Sequence, residues 1–494
     1  MGHLGRGLRR GAGPRKFWGG AMKRMAMFVA LALAVLPGVV VACDAPKDLG
    51  GRVFHVDPSR GSPEGDGSFR KPWRSLAEVL DPARGLIASP RLRRQPDGGF
   101  ATEPAEGGLI RAGDAIELAD GDYGDITLIG YANADFITIA AAPGAKPVAH
   151  GLFIAGASHW LLRGLTFTAA SGESGPAGAI VEAGSPALGP SDHIAFVQNR
   201  YFTAATVADW REDDWVNRPK MYGLVTRARC ALVRGNEFFH LRNALDIGGD
   251  DSLVEDNFFH DFGNDAMDFH ASGVTIRRNQ VSASRHPPAE KLHPDGAQGW
   301  ALDGAVHRDI LIDGNIIANL NPSEDNYMQG ISIFTGRFEN VTIQNNVVAT
   351  NTWHGITLYG VKNAKVLNNT VVATRPGQKD SWILIHDSTD HATRSDALVR
   401  NNIATAIVVE NADVTLDHNL TALPIRAQKQ ARIVEGGGNR VAPLAPLFRA
   451  LSPQTGVLDL HLVAPVAGAA DGAPESDAEG RKRSAGADLG AYAR

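Results

Sequence analysis

Apolar positions through the middle of this chain come in short alternating runs, not at helical spacing. ALVRGNEFFH (231–240), SLVEDNFFHD (252–261), GVTIRRNQVS (273–282), DILIDGNIIA (309–318), NVTIQNNVVA (340–349), AKVLNNTVVA (364–373) and ALVRNNIATA (397–406) share one order: a β-rich run, an Asn, a second apolar run. The Asn falls at Asn236, Asn257, Asn279, Asn315, Asn346, Asn369 and Asn402. Spacings of 21, 22 and 23 residues, with others of 31, 33 and 36, read as one unit that tolerates insertions of roughly ten residues. Such a unit, with two or three short strands and no helical period, predicts one coil of a parallel β-solenoid. Leucine-rich and helical repeats lack support, because their Leu spacing and helix-length amphipathic segments are missing. Asn suits the bend between runs: it tolerates left-handed backbone, and its amide can bond to the Asn of the next coil. These asparagines are expected to form a structural ladder with no catalytic part.

A further run precedes each Asn phrase: Ala244 to Gly248, Ala266 to His270, Gly296 to Trp300, Gly330 to Phe334 and Gly355 to Tyr359. Side chains alternate between the faces of a strand. Leu245/Ile247, Met267/Phe269, Ala297/Gly299, Ile331/Ile333 and Ile356/Leu358 are therefore the inward pairs. The outward columns are Asp246, Asp268, Gln298, Ser332, Thr357 and Gly248, His270, Trp300, Phe334, Tyr359, continued by His386. A solvated strand face carries Lys, Thr, Glu and Ser, so aromatic residues in register call for a partner, and stacked sugar rings would supply one. Packing beneath the insertions at 281–295 and 319–329 is the competing explanation.

At 494 residues, 44% hydrophobic and 21% charged, the chain has an ordinary globular balance. A net charge of -5 argues against nucleic acid as a partner. Residues 22–43 carry a basic start, an apolar run and small residues before Cys43, the layout of a signal peptide, so export is expected, to the periplasm, to the outer membrane as a lipoprotein, or as a secreted protein. Val40-Val41-Ala42-Cys43 is similar to a bacterial lipobox, which would lipidate Cys43 and attach the chain to a membrane. Cys230 would then stand alone as a small buried apolar residue, with no disulfide framework.

With these coils the chain resembles the right-handed parallel β-helix proteins of the pectate-lyase-like superfamily. Gly65 to Val79 is similar to the segment leading into their N-terminal cap, and Ala112 to Tyr123 to their first coil. The expected organisation is an upstream non-structural segment (1–21), a signal peptide possible in lipoprotein form (22–43), an all-β single-stranded right-handed β-helix (44–425) and an irregular C-terminal segment (426–494).

The resemblance implies a polysaccharide substrate, and the outward residues give candidate chemistry. A lyase or C5-epimerase acting on a uronic-acid polymer must neutralise the substrate carboxylate and remove the adjacent proton. Arg285, Lys291 and Gln298 are candidates for the first task and His270 or His293 for the second, because the loop ending EKLHPDGAQGW is expected to deliver its charges beside Asp268 and His270. Asp268-Phe269-His270 is similar to the Asp-Pro-His motif of alginate C5-epimerases, with Phe269 in place of the proline. Asp246, Asp295, Gln298, Trp300, Phe334, His354, Tyr359 and His386 are candidate substrate contacts. Asp265, Asp268 and Asp295 are candidate ligands for Ca2+, a hard cation that prefers carboxylate oxygen. A glycoside hydrolase pairing Asp246 or Asp295 with Asp268 is the alternative, and a non-catalytic glycan-binding or surface solenoid is the third.

Overall fold

The computed structural model describes residues 43, 45–47, 50–105, 107–169, 178–286, 292–319, 327–375, 377, 379–452, 457–484 and 488–493. Among these residues, successive strands visit three parallel sheets of 15, 13 and 12 strands in turn. In one coil Leu232–Arg234 joins the first, Glu237–Leu241 the second and Asn243–Ile247 the third, and Leu253–Glu255 then returns to the first. The protein is a right-handed parallel β-helix, the hand that parallel crossover connections favour.

Its interior is the set of inward residues. Leu245, Ile247, Met267, Phe269, Ala297, Ile331, Ile333, Ile356 and Leu358 are all fully buried, each contributing on the order of 1.5–3 kcal/mol where the side chain is large. Phe167, Tyr201, Phe238 and Phe259 stack through four coils with centroid spacings of 5.2, 4.5 and 4.8 Å. Gly299 is inward for a steric reason: a Cβ there would lie 2.6 Å from the Phe269 ring. The N-terminal end is covered by the short helix Leu76–Leu80, which buries Leu76, Val79 and Leu80 beside Trp73.

The Asn ladder exists and is longer than the repeat phrases suggested. Asn199, Asn236, Asn257, Asn279, Asn315, Asn346, Asn369, Asn402, Asn419 and Asn439 form one chain, each backbone N–H donating to the next side-chain Oδ1 at 2.8–3.0 Å. From Asn236 onward the Nδ2 group also donates to that oxygen, for example Asn279 to Asn315 at 3.0 Å. The left-handed backbone is not taken by the ladder residue, as expected from sequence, but by the residue before it: Gly235, Asp256, Arg278, Gly314, Asn345, Asn368, Asn401 and His418 all have φ between 51° and 65°. That division leaves the amide free to point inward.

Solenoid pairing continues past residue 425. Arg426–Gln428, Arg432–Gly437 and Arg440–Val441 add a last coil. The antiparallel hairpin Phe448–Ser452/Val457–Leu462 then folds back, and Leu460, Leu462, Leu489 and Tyr492 pack against Val347, Val372, Ile403 and Leu420. No described helix is long and apolar enough to cross a membrane.

One expectation fails outright. Cys230 is not a lone apolar residue, because it forms a disulfide with Cys43 across 187 positions, Cα to Cα 5.5 Å. A sulfur in a disulfide has no valence left for a thioether lipid, so this pairing and the expected lipid on Cys43 exclude each other.

Candidate functional site

Seven strands of the 12-stranded sheet carry the outward residues: β1 (Tyr222–Thr226), β2 (Asn243–Ile247), β3 (Met267–Phe269), β4 (Asp295–Trp300), β5 (Gln329–Thr335), β6 (His354–Tyr359) and β7 (Trp382–His386). Their register puts Asp246 beside Asp268, Asp268 beside Gln298, Gln298 beside Ser332 and Ser332 beside Thr357. The second column is broken once: after Gly299 the register shifts and Trp300 pairs with Thr335 in place of Phe334.

The column is outward yet mostly buried. Asp246, Asp265, Asp268 and Asp295 are between 0% and 5% exposed. Asp246 is clamped by Arg227, Nη1 to Oδ1 at 2.9 Å and Nη2 to Oδ2 at 3.2 Å. The same carboxylate meets His270 Nε2 at 2.7 Å, and the imidazole stacks on Trp300 at a centroid distance of 4.0 Å. Gly248 makes room for this arrangement, because a Cβ there would fall 2.4 Å from His270 Cε1 and 2.7 Å from Arg227 Cδ.

The other three acids lack a guanidinium. Asp268 receives Asn243 Nδ2 at 3.1 Å and the Tyr222 hydroxyl at 3.3 Å. Asp265 receives the same Asn243 amide at 2.9 Å and the backbone N–H of Asp295 at 2.9 Å. Asp295 accepts from Gln298 Nε2 at 3.3 Å, while its Oδ1 is buried with no hydrogen-bond partner. His293, largely exposed, holds Nδ1 3.9 Å from Asp295 Oδ2, an ion-pair distance and not a hydrogen bond.

Burial without full compensation moves these groups. Asp268 is pushed up to about 7, first by burial and then by the charges of Asp246 and Asp295, against the bonds from Asn243 and Tyr222. Asp265 is raised well above the carboxylate range by burial and by Asp268 and Asp295, and Asp295 is raised by burial. The Asp295 carboxylate raises His293. Tyr222 is raised by burial and the three nearby acids and so keeps its proton. The set is thus a group of carboxyls whose affinity for protons burial raises.

The Ca2+ expectation fits poorly. Among the described residues the groups whose ligand atoms lie within 4.8 Å of one another are Cys43/His193/Cys230 and His159/Asp192/His193. The oxygens of Asp265, Asp268 and Asp295 are not among those groups.

Further along the axis the column is aromatic and half-buried. Phe334 meets Tyr359 edge-on at 5.4 Å and His354 at 5.1 Å, and Tyr359 stacks on His386 at 4.5 Å. His354 is lowered to about 4 by burial and by His293, so it is neutral, and its Nδ1 contacts Thr357 Oγ1 at 3.0 Å. His386 has both ring nitrogens engaged, Nδ1 by Asp387 at 2.7 Å and Nε2 by Glu410 at 3.2 Å.

One expected residue falls elsewhere. Arg285 follows the 13-stranded sheet, donates to Asp261 at 2.7 Å and lies over the Trp215 ring, so it is committed to that side of the coil. Lys291 lies outside the described residues. Sequence reasoning missed Tyr222, Arg227 and Asn243. The signal was present: HIAFVQNRYF (193–202) carries ladder residue Asn199, so the Tyr222 to Arg227 run is the next aligned strand and its end.

Residues 218–377 match the family model described as right handed beta helix region. No curated protein matches the chain. Among solved structures it is similar to the Azotobacter vinelandii mannuronan C-5 epimerase AlgE6 A-module (13% identity, 67% of this chain and 91% of that one, TM-score 0.47). It is also similar to pectate lyase Pel9A (13%, 91% and 97%, TM-score 0.39) and to the catalytic unit of a GH87 α-1,3-glucanase from Streptomyces thermodiastaticus (13%, 67% and 63%, TM-score 0.38).

Proposed function

We propose that this is an exported carbohydrate-active enzyme that acts on a uronic-acid-containing polysaccharide by removing the proton at C5, in β-elimination or in C5-epimerisation. The observation that carries the reading is His270 fixed by Asp246 and stacked on Trp300, directly beside carboxyl groups whose affinity for protons burial raises. With Nε2 held by Asp246, Nδ1 is the nitrogen left to accept the C5 proton. A protonated Asp268 or Asp265 donates a hydrogen bond to the substrate carboxylate as negative charge develops on it, the task a neutral carboxylic acid performs in a dry site. Elimination then breaks the C4–O4 bond, and the departing oxygen takes a proton from one of these carboxyl groups. Epimerisation instead returns a proton to the opposite face of C5. Phe334 and Tyr359 offer rings to the sugars that lie further along the axis on one side of His270.

Glycoside hydrolysis is the second reading, favoured by Asp268 near 7, a value suited to a general acid. It lacks a free partner in Asp246, whose two oxygens are taken by Arg227 and His270. The test is incubation with a panel of uronate polymers. Unsaturated chain ends mark a lyase, altered uronate composition without cleavage an epimerase, and new reducing ends without unsaturation a hydrolase; inertness on polymers that bind would sink the enzyme reading.

A further inference from the structure

A second cluster of reactive side chains lies away from the Asp246–Tyr359 column, where successive coils enter the 15-stranded sheet. His159, His193, Cys230 and Asp251 occupy equivalent left-handed positions of successive coils, with φ of 56°, 50°, 55° and 60°. Cys43 closes on this column through its bond to Cys230, and its sulfur lies 3.4 Å from the Asp251 carbonyl oxygen. A ring nitrogen of His193 and the two sulfurs lie within 4.8 Å of one another. His193 Nδ1 is engaged by Asp192 at 2.7 Å, which leaves Nε2 as the donor nitrogen. A carboxylate behind a ligating histidine is the usual support of a metal site. The His159 ring stacks on His193 at 4.4 Å, and its Nδ1 is buried with no hydrogen-bond partner. A purely structural turn column has no need of two sulfurs, a carboxylate-oriented imidazole and an orphaned ring nitrogen together.

We propose that Cys43, Cys230 and His193 form a thiol-gated site for a zinc-class divalent ion, closed as a disulfide when oxidised and metal-binding when reduced. A dithiol reductant supplies two electrons and two protons to the S–S bond, yielding two cysteine thiols and its own cyclic disulfide. The ion then displaces one proton from each thiol and takes two thiolates and the neutral imidazole, with water in the fourth position. Soft sulfur ligands select zinc over calcium or magnesium. The site is independent of the groove chemistry and stands whether or not the protein acts on a uronate.

The test uses the purified chain with cobalt(II) as the probe, before and after dithiothreitol treatment, desalting and anaerobic handling. The expected result is about one cobalt per chain after reduction, with thiolate-to-cobalt charge-transfer absorption that zinc abolishes, and at least about 100-fold weaker binding when oxidised. Cys230→Ser and His193→Ala should each lose the absorption. Because Cys230→Ser also removes a cross-link, His193→Ala, which keeps both cysteines, is the control for folding. No cobalt bound by the reduced chain, equal binding by the oxidised chain or by His193→Ala, or a Cys43 blocked by another modification would each overturn the proposal.

Discussion

Two buried carboxylates one strand apart in the chain behave oppositely. Glu255, 1% exposed on the 15-stranded sheet, is met by Arg277 at 2.7 Å and Arg278 at 2.6 Å, with Arg234 also bound. Burial alone would raise it, but Arg277 and Arg234 hold it below the ordinary glutamate range. Asp268, 3% exposed on β3, has an amide and a phenol for partners, two further acids for neighbours, and is pushed up to about 7. The scaffold therefore has the means to neutralise a buried acid and uses them on Asp246, through Arg227, but not on the neighbouring Asp268. Buried acids left uncompensated beside a compensated one are candidates for chemistry.

Four substitutions probe that contrast, taken from the largest effect to the smallest. His270→Gln should lower turnover of a responsive uronate polymer by about 1,000-fold, on the order of 4 kcal/mol, with an unchanged melting curve. Asn315→Ala should do the reverse. It orphans the buried backbone N–H of Asn279 and removes the Nδ2 donor from the Ile276 carbonyl, and should cost about 2–3 kcal/mol in denaturant unfolding while leaving KM intact. Glu255→Gln should destabilise by about 1–2 kcal/mol, discounted because its arginines are partly exposed.

Asp268→Asn should stabilise by about 1 kcal/mol at pH 8 and be neutral at pH 4. The sign follows from the raised pKa: the proton on Asp268 favours the folded state fully below the unfolded value near 4, and that contribution disappears as pH rises through about 7. Glu255 has the opposite dependence, its contribution being present above the ordinary glutamate value and lost as acid protonates the folded state. Denaturant titrations of both variants at pH 4, 6 and 8 would separate the two; parallel profiles would remove the contrast.

The coils were legible because each repeats the same physical requirement. A ladder Asn recurs in each coil from Asn199 to Asn439 beside inward, mostly apolar pairs, and alignment of Ala244 to Gly248 with Ala266 to His270 placed Asp246 beside Asp268 as the structure has it. Charge pairing was much less legible. Arg285 follows a strand of a different sheet from Asp268, and only the three-sheet course of a coil shows that it turns to Asp261. Arg227 and Tyr222 precede the first clear phrase, so the residues that hold Asp246 and Asp268 went unseen. The Cys43–Cys230 pair was beyond reach for the same reason: a contact across 187 positions has no periodic signature.

The central claim is that His270 removes the C5 proton of a uronate, and it can be read in one measurement whatever follows that step. A panel of uronate polymers is incubated with the protein in deuterium oxide, and the C5 proton signal is followed by NMR. Loss of that signal with wild type, to deuterium or to a double bond, and its persistence with His270→Gln is the predicted result. Polymer cleaved with every C5 proton retained, or equal loss with His270→Gln, would contradict it.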